Sequence, residues 1–333
     1  MIVLGIETSC DETGCGIVDE NFRALGQCVY SQVQTHARFG GVVPEVAARA
    51  HLEKIQPVVE AALKDADLSL QAVDIIAYTR GPGLLGPLLV GASFAQGLGR
   101  SLGKPAIGLN HLEGHLASAY LTDPQFKPPF LALLVSGGHT ELVQVGSELE
   151  FRVLGQTRDD AAGEAFDKCG KLLGLGYPAG AEVGEWAAQG RRDFLSAPRA
   201  LMERGNLEFS FSGLKTAMLR EIGKRSPETL LKERADFCAS LETAIVDVLV
   251  AKSLWALEAC GENRLVVAGG VAANAYLRQR MTEAAQREGF QLLLPEKQFC
   301  GDNGVMMAAA AQKRLQLGKW PEAGDVKAGL RWS

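Results

Sequence analysis

The sequence has no apolar stretch of about 18 residues, the length that a membrane-spanning helix needs. Its first residues are apolar, but no basic segment precedes them and Glu7 follows at once, so they are not typical of a signal peptide. The seven cysteines are odd in number and scattered, and none forms a Cys-x-x-Cys pair, which argues against a disulfide framework or a zinc ribbon. These absences predict a cytoplasmic protein that does not span a membrane.

The chain also lacks an excess of positive charge, because Asp and Glu outnumber Lys and Arg and the net charge is −5. This balance argues against an obligate nucleic-acid binder. Residues 191–234 are the exception, with ten Lys or Arg against six Asp or Glu. This basic segment could form one positive face on an acidic body. An ordinary solvated surface explains the same charges equally well.

What the chain does have is the composition of a globular protein, with 47% hydrophobic and 22% charged residues over a length of 333, enough for two lobes. Apolar runs predict strands at 2–6, 14–18, 24–31, 74–79, 105–110, 130–135, 140–145, 264–268 and 291–294. Helical patterns lie at 44–66, 84–102, 111–121, 161–175, 213–260, 272–287 and 303–317, with Pro57 expected to kink or divide the first.

The order of these elements repeats, because each half opens with a hairpin and continues as strand–helix pairs. This predicts a duplicated α/β fold of two lobes with a central cleft, although the two halves have no sequence repeat that can be aligned. We expect the first lobe to span residues 1–112, with 304–330 packing back on it, and the second to span 113–303.

His111 and His115 form the sharpest local signal. Four residues apart on a helix, they share a face and can meet one cation. The metalloprotease helix His-Glu-x-x-His is a tempting comparison, but Glu113 is turned by roughly 200° from His111 and would face away from the metal. Two histidines alone make an incomplete site, and a hydrogen-bonded buried pair is the alternative.

Asp302 supplies a third ligand for such a site, because it lies at a predicted loop-to-helix junction. Two His and one carboxylate with open positions suit Fe(II) or Zn(II). A helix N-cap is an equally good role for Asp302 on sequence alone.

Three glycines at Gly81, Gly83 and Gly86 match the dinucleotide fingerprint between a strand and a helix. That fingerprint requires an acid about 20 residues further on, and no Asp or Glu occurs from 76 to 111. A tight turn and close helix packing explain these glycines better.

Paired glycines end two other predicted strands, at Gly137–Gly138 and at Gly269–Gly270. Backbone amides without nearby Cβ atoms can approach a phosphate, and a following helix N-terminus adds positive potential. Together with the polar hairpin at 7–13, these turns look like the phosphate and adenosine loops of the actin, sugar-kinase and heat-shock-70 architecture. Asp11 and Glu12 are the acids placed to face a phosphate, unless they serve only the turn.

Seven motifs in order closely resemble the bacterial tRNA adenosine threonylcarbamoyltransferase (TsaD) family and cover nearly the whole chain. They are GIETSCDET (5–13), GGVVPE (40–45), HLEGH (111–115), LVSGGHT (134–140), AAGEAFDK (161–168), FSFSGLKT (209–216) and AGGVAAN (268–274). One departure is that the family's Pro-Gly-Gly-Pro loop reads Pro178-Ala179-Gly180-Ala181 here.

The resemblance implies functional residues at three places. His111, His115 and Asp302 would hold one divalent metal, Fe²⁺ by the family's usual assignment, with Zn²⁺ as the alternative. The residues expected to line the nucleotide-bearing substrate are Leu134, Val135, Ser136, Gly137, Gly138, Asp167, Gly180 and Asn274. We expect Asp11 or Glu12 to collect the proton of the attacking amine.

The resemblance also implies an activity. The enzyme would move the threonylcarbamoyl group from threonylcarbamoyl-adenylate to the exocyclic amine of the adenosine adjacent to the anticodon (position 37) of tRNAs that read codons beginning with A, releasing AMP. Family members act with a paralogous non-catalytic subunit (TsaB-like) and a small P-loop ATPase (TsaE-like).

Two other classes share this architecture. A small-molecule kinase would explain the hairpins and acids but not the histidine pair. An actin-like scaffold would keep the nucleotide loops without a metal site. Under the tRNA hypothesis, we expect Arg191, Arg192, Lys224 and Arg225 to dock tRNA phosphates.

Overall fold

A computed structural model describes residues 1–320 and 324–332. The strands are β1 (Val3–Glu7), β2 (Glu12–Val18), β3 (Ala24–Ser31), β4 (Ile75–Gly81), β5 (Ala106–Asn110), β6 (Phe130–Val135), β7 (Thr140–Val145), β8 (Phe151–Gln156), β9 (Arg264–Ala268) and β10 (Gln291–Leu293). The helices are α1 (Val33–Ala37), α2 (Pro44–Asp65), α3 (Leu85–Leu102), α4 (His111–Thr122), α5 (Ala162–Leu172), α6 (Gly180–Ala187), α7 (Ser212–Ile222), α8 (Pro227–Cys260), α9 (Ala275–Glu288) and α10 (Gly304–Gln316). Within the described ranges, no helix is both long and apolar enough to cross a membrane.

The chain forms two compact units. The first contains Met1–Lys127, Glu148–Glu150 and the described residues from Pro295 on, and the second contains Pro128–Ser147 and Phe151–Leu294. The predicted boundaries at 112/113 and 303/304 therefore differ from those observed. The reason is that α4 packs along α10 in the first unit, so the histidine helix belongs there. The predicted returning segment 304–330 begins with α10, and its residues 321–323 lie outside the described ranges.

The first unit is built on a five-stranded sheet with the order β3-β2-β1-β4-β5. β1, β2 and β3 form an antiparallel meander, whereas β4 and β5 run parallel to β1. Side chains along β1 and β2 point alternately to the two faces of the sheet. Leu4, Ile6 and Ile17 lie on the face covered by α2 and form a core with Ile55 and Val58 of that helix. Burying each of these side chains contributes about 2 kcal/mol.

Helix α2 remains one continuous helix across Pro57, where the sequence predicted a kink or a division. Pro44 occupies its first turn, where a missing N–H costs no hydrogen bond. Pro57 lies on its exposed side, while the apolar side packs on the sheet.

Helix α10 lies on the opposite face of this sheet, where the strands carry glycine. A Cβ atom at Gly14 would lie 2.8 Å from the backbone nitrogen of Gly304, and one at Gly5 would lie 2.5 Å from that of Ala308. Such contacts are closer than real Cβ atoms allow, so only glycine lets the helix backbone approach the strands this closely. The close approach brings the residue before the helix cap, Asp302, to the edge where β1 ends.

The second unit repeats the topology of the first. Its sheet has the order β8-β7-β6-β9-β10, with β6, β7 and β8 antiparallel and β9 and β10 parallel to β6. Read from the meander edge, this is the same arrangement as β3-β2-β1-β4-β5. The observed fold is thus the duplicated α/β actin, sugar-kinase and heat-shock-70 fold that the sequence predicted.

Helix α8 is the spine of the second unit. It spans 34 residues, starts behind a Ser226 cap with Pro227 in its first turn, and ends at Gly261 in the left-handed conformation. Its middle is buried from Phe237 to Leu257 and packs against α6 and α9.

Candidate functional site

Helix α4 begins at His111 because Asn110 caps it: the Asn110 side chain accepts a hydrogen bond from the backbone N–H of Leu112 at 2.9 Å. His111 and His115 are then one turn apart on the same face, with their ring centroids 4.7 Å apart. Both histidines are buried, at 6% and 0% exposure. The predicted pairing of the two imidazoles therefore exists in the first unit.

Asp302 reaches the same point from the turn before α10. Its Oδ1 lies 3.2 Å from Nε2 of His115 and 3.7 Å from Nε2 of His111. One ligand atom from each of the three residues lies within 4.8 Å of the others. Asn303, not Asp302, caps α10 by accepting from the backbone N–H of Met306, so the alternative role for Asp302 is taken by its neighbour.

The surroundings of His115 fit a cation. In the described part of the chain, neither of its buried ring nitrogens has a hydrogen-bond partner. Nε2 lies within ion-pair distance of the Asp302 carboxylate but makes no hydrogen bond to it. Buried polar atoms normally find a partner. Two imidazole nitrogens and one carboxylate oxygen are donors that Fe²⁺ and Zn²⁺ accept. The three residues form a possible metal site.

His111 also contacts a buried acid that the sequence did not single out. Its Nδ1 lies 3.0 Å from Oε2 of Glu7, the last residue of β1, which has no exposed surface. Burial opposes charge on both groups, yet the pKa of His111 rises to about 9 because Glu7 and Asp302 are negative. The imidazole correspondingly lowers the pKa of Glu7. The only feature of the sequence that pointed to this contact was an acidic residue, Glu7, at the end of the central strand.

The two predicted catalytic acids lie in the β1–β2 hairpin, Asp11 in the turn and Glu12 at the start of β2. Burial, together with the charges of Asp302 and Asp11, raises the pKa of Glu12 to about 9. Its carboxyl accepts from the Ser31 hydroxyl at 3.2 Å. The raised pKa favours the protonated form of Glu12 at neutral pH when no cation is bound.

Glu113 faces away from the histidines, as the helical geometry predicted. Its two carboxylate oxygens accept from Nε and Nη2 of Arg314 at 2.6 and 2.8 Å. The pair joins α4 to α10. Glu113 is thus engaged in packing and is not placed as a base beside the possible metal site.

The Gly81–Gly86 loop serves close packing, as the sequence favoured. The backbone N–H of Leu84 donates to the Ser9 carbonyl at 2.8 Å. Gly83 has φ +156°, and a Cβ there would lie 2.6 Å from the Ser9 oxygen.

In the second unit, the first glycine turn joins β6 to β7. Leu134 and Val135 are buried in β6, and Ser136 pairs with His139 across the turn, while Gly137 and Gly138 are exposed. No atom lies within 4 Å of a Cβ built on either glycine, so the space beside this turn is open.

Gly163, which the sequence did not single out for a role, brings the start of α5 to the first glycine turn. Its N–H donates to the Ser136 carbonyl at 3.2 Å, and a Cβ there would lie 2.7 Å from the Gly137 Cα. The small residue at this position is the signal that could have identified this contact.

Asp167 and Gly180 meet at the junction of α5 and α6. The Asp167 carboxylate accepts from the backbone N–H of Ala179 at 2.7 Å, and α6 starts at Gly180. Ala179 has φ −92° and is fully buried beside Gly170, so its methyl group fits without glycine. The departure from the family's double glycine is therefore compatible with this turn.

Asn274 follows the second glycine turn, in which Gly269 has φ +96°. Its side chain caps α9 by accepting from Leu277 N–H at 2.8 Å and donates to Glu242 of α8 at 2.7 Å. Glu242 is 2% exposed and was also missed by the sequence, because a lone acid in a long helix gives no signal.

Known proteins place the chain in a family. A family model described as TsaD, tRNA N6-adenosine threonylcarbamoyltransferase, matches residues 23–309. A protein of that name from Polaromonas sp. is 51% identical over 322 residues, covering 96% of this chain and 92% of that protein. Another, from Aromatoleum aromaticum, is 48% identical and covers 100% and 97%.

Solved structures show the fold alone. The (R)-2-hydroxyglutaryl-CoA dehydratase component A of Acidaminococcus fermentans has a TM-score of 0.56 at 14% identity, covering 96% of this chain and 100% of that one. HypF of T. kodakarensis has a TM-score of 0.61 at 15% identity, covering 95% and 48%. From the family model and the sequence relatives, the chain belongs to the TsaD family of tRNA N6-adenosine threonylcarbamoyltransferases.

Proposed function

We propose that the protein transfers the threonylcarbamoyl group from threonylcarbamoyl-adenylate to the exocyclic amine of the adenosine adjacent to the anticodon of tRNA. The single observation that carries this proposal is the near full-length match to relatives of that name, about half of whose residues are identical. The buried triad His111, His115 and Asp302 supports it further, because a sugar kinase or an actin-like scaffold has no use for such a site.

The reaction needs no covalent intermediate on the protein, since the donor is already a mixed anhydride. The amine nitrogen forms a bond to the carbamoyl carbon, the bond from that carbon to the phosphate oxygen breaks, and AMP leaves with the electron pair. A divalent cation on the triad, Fe²⁺ by the family's usual assignment, would supply Lewis-acid stabilisation of negative charge on substrate oxygens.

The chain's own residues do the rest. We assign the proton released by the amine to Asp11 or Glu12, the two acids of the β1–β2 hairpin. The backbone amides of the exposed residues Gly137 and Gly138 would hold the AMP phosphate by positioning and electrostatics. The remaining residues expected to line the nucleotide-bearing substrate also belong to the second unit: Leu134, Val135, Ser136, Asp167, Gly180 and Asn274.

The proposed partners are tRNA, a paralogous TsaB-like subunit and a TsaE-like P-loop ATPase, in the cytoplasm. Exposed leucines support a protein partner: Leu52 of α2 is 70% exposed, and Leu85 and Leu89 of α3 are 53% and 47% exposed. The two helices pack side by side, with Gly86 against Ala48. A paralogue of the same fold would present an equivalent helix pair, so we assign this face to that subunit.

A Leu52→Glu, Leu89→Glu variant tests this face. The variant should keep its own metal content but should no longer co-purify with the paralogous subunit, and undiminished co-purification would exclude this face.

Reconstitution tests the activity. The protein, its partners, tRNA, threonine, bicarbonate, ATP and a synthase for the adenylate are combined, and the tRNA nucleosides are analysed. We expect threonylcarbamoyladenosine to form with wild type and to drop sharply with His111→Ala. If no modified nucleoside forms and the protein phosphorylates sugars instead, the kinase alternative is correct.

A further inference from the structure

Glu7 is enclosed at the end of β1 with every carboxylate contact directed inward. Its Oε1 accepts from the backbone N–H of Ser9 at 2.5 Å, and its Oε2 accepts from the Thr79 hydroxyl. The same Oε2 lies 3.0 Å from Nδ1 of His111. No exposed surface remains on this side chain, so it cannot exchange these partners for water.

The two nitrogens of the His111 ring face different acids. Nδ1 faces Glu7, whereas Nε2 lies 3.7 Å from Oδ1 of Asp302, on the side of the possible metal site. A neutral imidazole carries one proton, and the nitrogen without it is the one that can bind a metal. The partner of Nδ1 therefore decides whether Nε2 can serve as a ligand.

We propose that Glu7 is a positioning residue that keeps a proton on Nδ1 of His111 and thereby leaves Nε2 to a metal ion. An ionised carboxylate can only accept, so Nδ1 must be the donor. The claim that Nε2 binds a metal rests on the function proposed above. The claim that Glu7 keeps the proton on Nδ1 does not. Carboxylates that orient metal-binding histidines in this way typically account for about 10- to 100-fold in metal affinity.

Ser9 is the competing partner, because its Oγ lies 3.2 Å from the same Nδ1. A hydroxyl can donate or accept, so it fits either form of the ring and cannot select one. The shorter contact and the fixed acceptor character both assign the selection to Glu7.

Glu7→Gln gives a sharp test, since the Ser9 N–H fixes how the new amide must lie. That N–H can only donate, so the amide oxygen has to take the Oε1 position and the NH₂ group has to take the Oε2 position. The NH₂ then donates to His111, Nδ1 becomes the acceptor, and the proton of the neutral ring moves to Nε2. The substitution keeps the shape of the side chain and reverses the tautomer.

The experiment uses the full chain labelled with ¹⁵N-histidine and freed of metal. The spectra are recorded above the pKa of His111, which despite burial is raised to about 9 by Glu7 and Asp302, because only a neutral ring has a tautomer to select. Only five histidines contribute, so the ring nitrogens can be assigned by comparison with His111→Gln. The chemical shift of Nδ1 separates a protonated from an unprotonated ring nitrogen. We expect Nδ1 of His111 to be protonated in wild type and in Ser9→Ala and unprotonated in Glu7→Gln. An unprotonated Nδ1 in wild type overturns the proposal without needing any variant, as does a protonated one in folded Glu7→Gln.

Metal affinity is the second readout, measured by competition of Zn²⁺ and Fe²⁺ with a coloured chelator. We expect about a 10- to 100-fold weaker affinity for Glu7→Gln and little change for Ser9→Ala. Equal loss in both variants overturns the selection by Glu7. If wild type binds neither ion while the protonation of Nδ1 still changes in Glu7→Gln, the metal assignment is wrong. The role of Glu7 in keeping the proton on Nδ1 of His111 is then retained.

Discussion

At the scale of single residues, His115 has the surroundings that most need a ligand. Its ring is fully buried and both nitrogens lack a hydrogen-bond partner among the described residues. His51, equally buried, is satisfied by the Thr13 hydroxyl at 2.7 Å and the Cys10 carbonyl at 3.0 Å. The contrast separates a histidine whose hydrogen bonds are satisfied from one whose ring nitrogens have none.

We therefore expect His111→Ala and His115→Ala each to lower bound metal more than ~10-fold, because losing a direct ligand costs at least as much as losing an outer partner. Elemental analysis of the purified protein measures this. His36→Gln is the control, since His36 is buried in the same unit and contacts Gln32. Full metal occupancy in either alanine variant would remove the triad from consideration.

Glu12 makes the metal-free protein sensitive to pH. Its pKa of about 9, against an ordinary 4.5, means that the folded protein binds this proton more tightly than the unfolded chain. The stability it contributes is complete below about pH 4.5 and is lost as pH rises toward 9. Glu12→Gln cannot lose a proton, so its metal-free melting temperature should exceed that of wild type increasingly as pH rises.

Thermal unfolding with a chelator at pH 5.5, 7 and 8.5 measures this difference. Glu60→Gln, an exposed change on α2, controls for charge alone. If the curves of Glu12→Gln and wild type stay parallel over this range, the raised pKa is not a property of the folded protein.

The sequence could predict that His111 and His115 share a helix face and that paired glycines follow two strands, because spacing along one element decides both. The position of Asp302 beside the histidines depends on the packing of α10 against α4 and is not implied by spacing. Nor could the sequence predict Glu7 or Glu242. Their partners lie 104 and 32 positions away, and a single acid in a strand or a helix has no pattern of its own.

At the scale of elements, α4 and α10 form the frame of the possible metal site. α4 carries both histidines, and Asp302 lies just before the Asn303 cap of α10. Glu113, in the first turn of α4, pairs with Arg314, in the last turn of α10, and their side chains are 6% and 16% exposed. Burial raises the pKa of Glu113, and the pairing with Arg314 only partly offsets it.

Breaking this pair should destabilise the fold without touching the ligands. Glu113→Gln leaves a buried guanidinium with a weaker partner, for which we expect a loss of about 3 kcal/mol in the free energy of unfolding. The double variant Glu113→Leu, Arg314→Met should recover much of that loss, since neither buried charge remains. Urea denaturation of the single and double variants provides the values.

Metal content distinguishes this packing role from the protease alternative. Folded Glu113→Gln should keep its metal, and it should show no change in any peptide cleavage because Glu113 is directed at Arg314. Metal-dependent cleavage by wild type that disappears in this variant would restore the protease interpretation.

Elements with a strong periodic pattern could be predicted to within a few residues, as for β3, β6, β7 and β9. The edge strand β8 was missed because half of its residues are exposed and it pairs with β7 alone. The helical material predicted over much of 213–260 forms two helices, α7 and α8, with the Ser226-Pro227 start signal between them. α6 was missed because its first turn, at Gly180, looks like part of a loop.

At the scale of the whole molecule, the duplication is visible only in topology. The central strands β1 and β6 correspond, yet β1 ends in Glu7 and an acidic hairpin, while β6 ends in Ser136 and two exposed glycines. The same position in the repeated fold thus carries acidic residues in one unit and exposed glycines in the other.

In the fold, the four cations of the basic segment that were expected to bind tRNA are not free positive charges. Each of the four cations expected to dock tRNA has a carboxylate partner: Arg191 pairs with Asp236, Arg192 with Glu242, Lys224 with Glu221, and Arg225 with Glu221 and Glu233. They differ in exposure, however, since Arg191 and Lys224 are 67% and 56% exposed while Arg192 and Arg225 are 34% and 22%. Exposed ion pairs are weak and exchange readily for phosphate, whereas Arg192 is held by a buried acid and stacks on Tyr276.

The docking hypothesis therefore divides into two parts. We expect Arg191→Gln with Lys224→Gln to flatten the salt dependence of tRNA binding by about two units of log–log slope, because two phosphate contacts and their released counterions are lost. Arg192→Gln with Arg225→Gln should leave that slope unchanged and lower thermal stability instead, because Glu242 loses its cation. Since phosphate contacts carry no base information, the weakening by the first pair should be the same for different substrate tRNAs. Titrations of the assembled complex at several salt concentrations measure both variants, and an unaltered slope in the first pair would reduce the basic segment to a solvated surface.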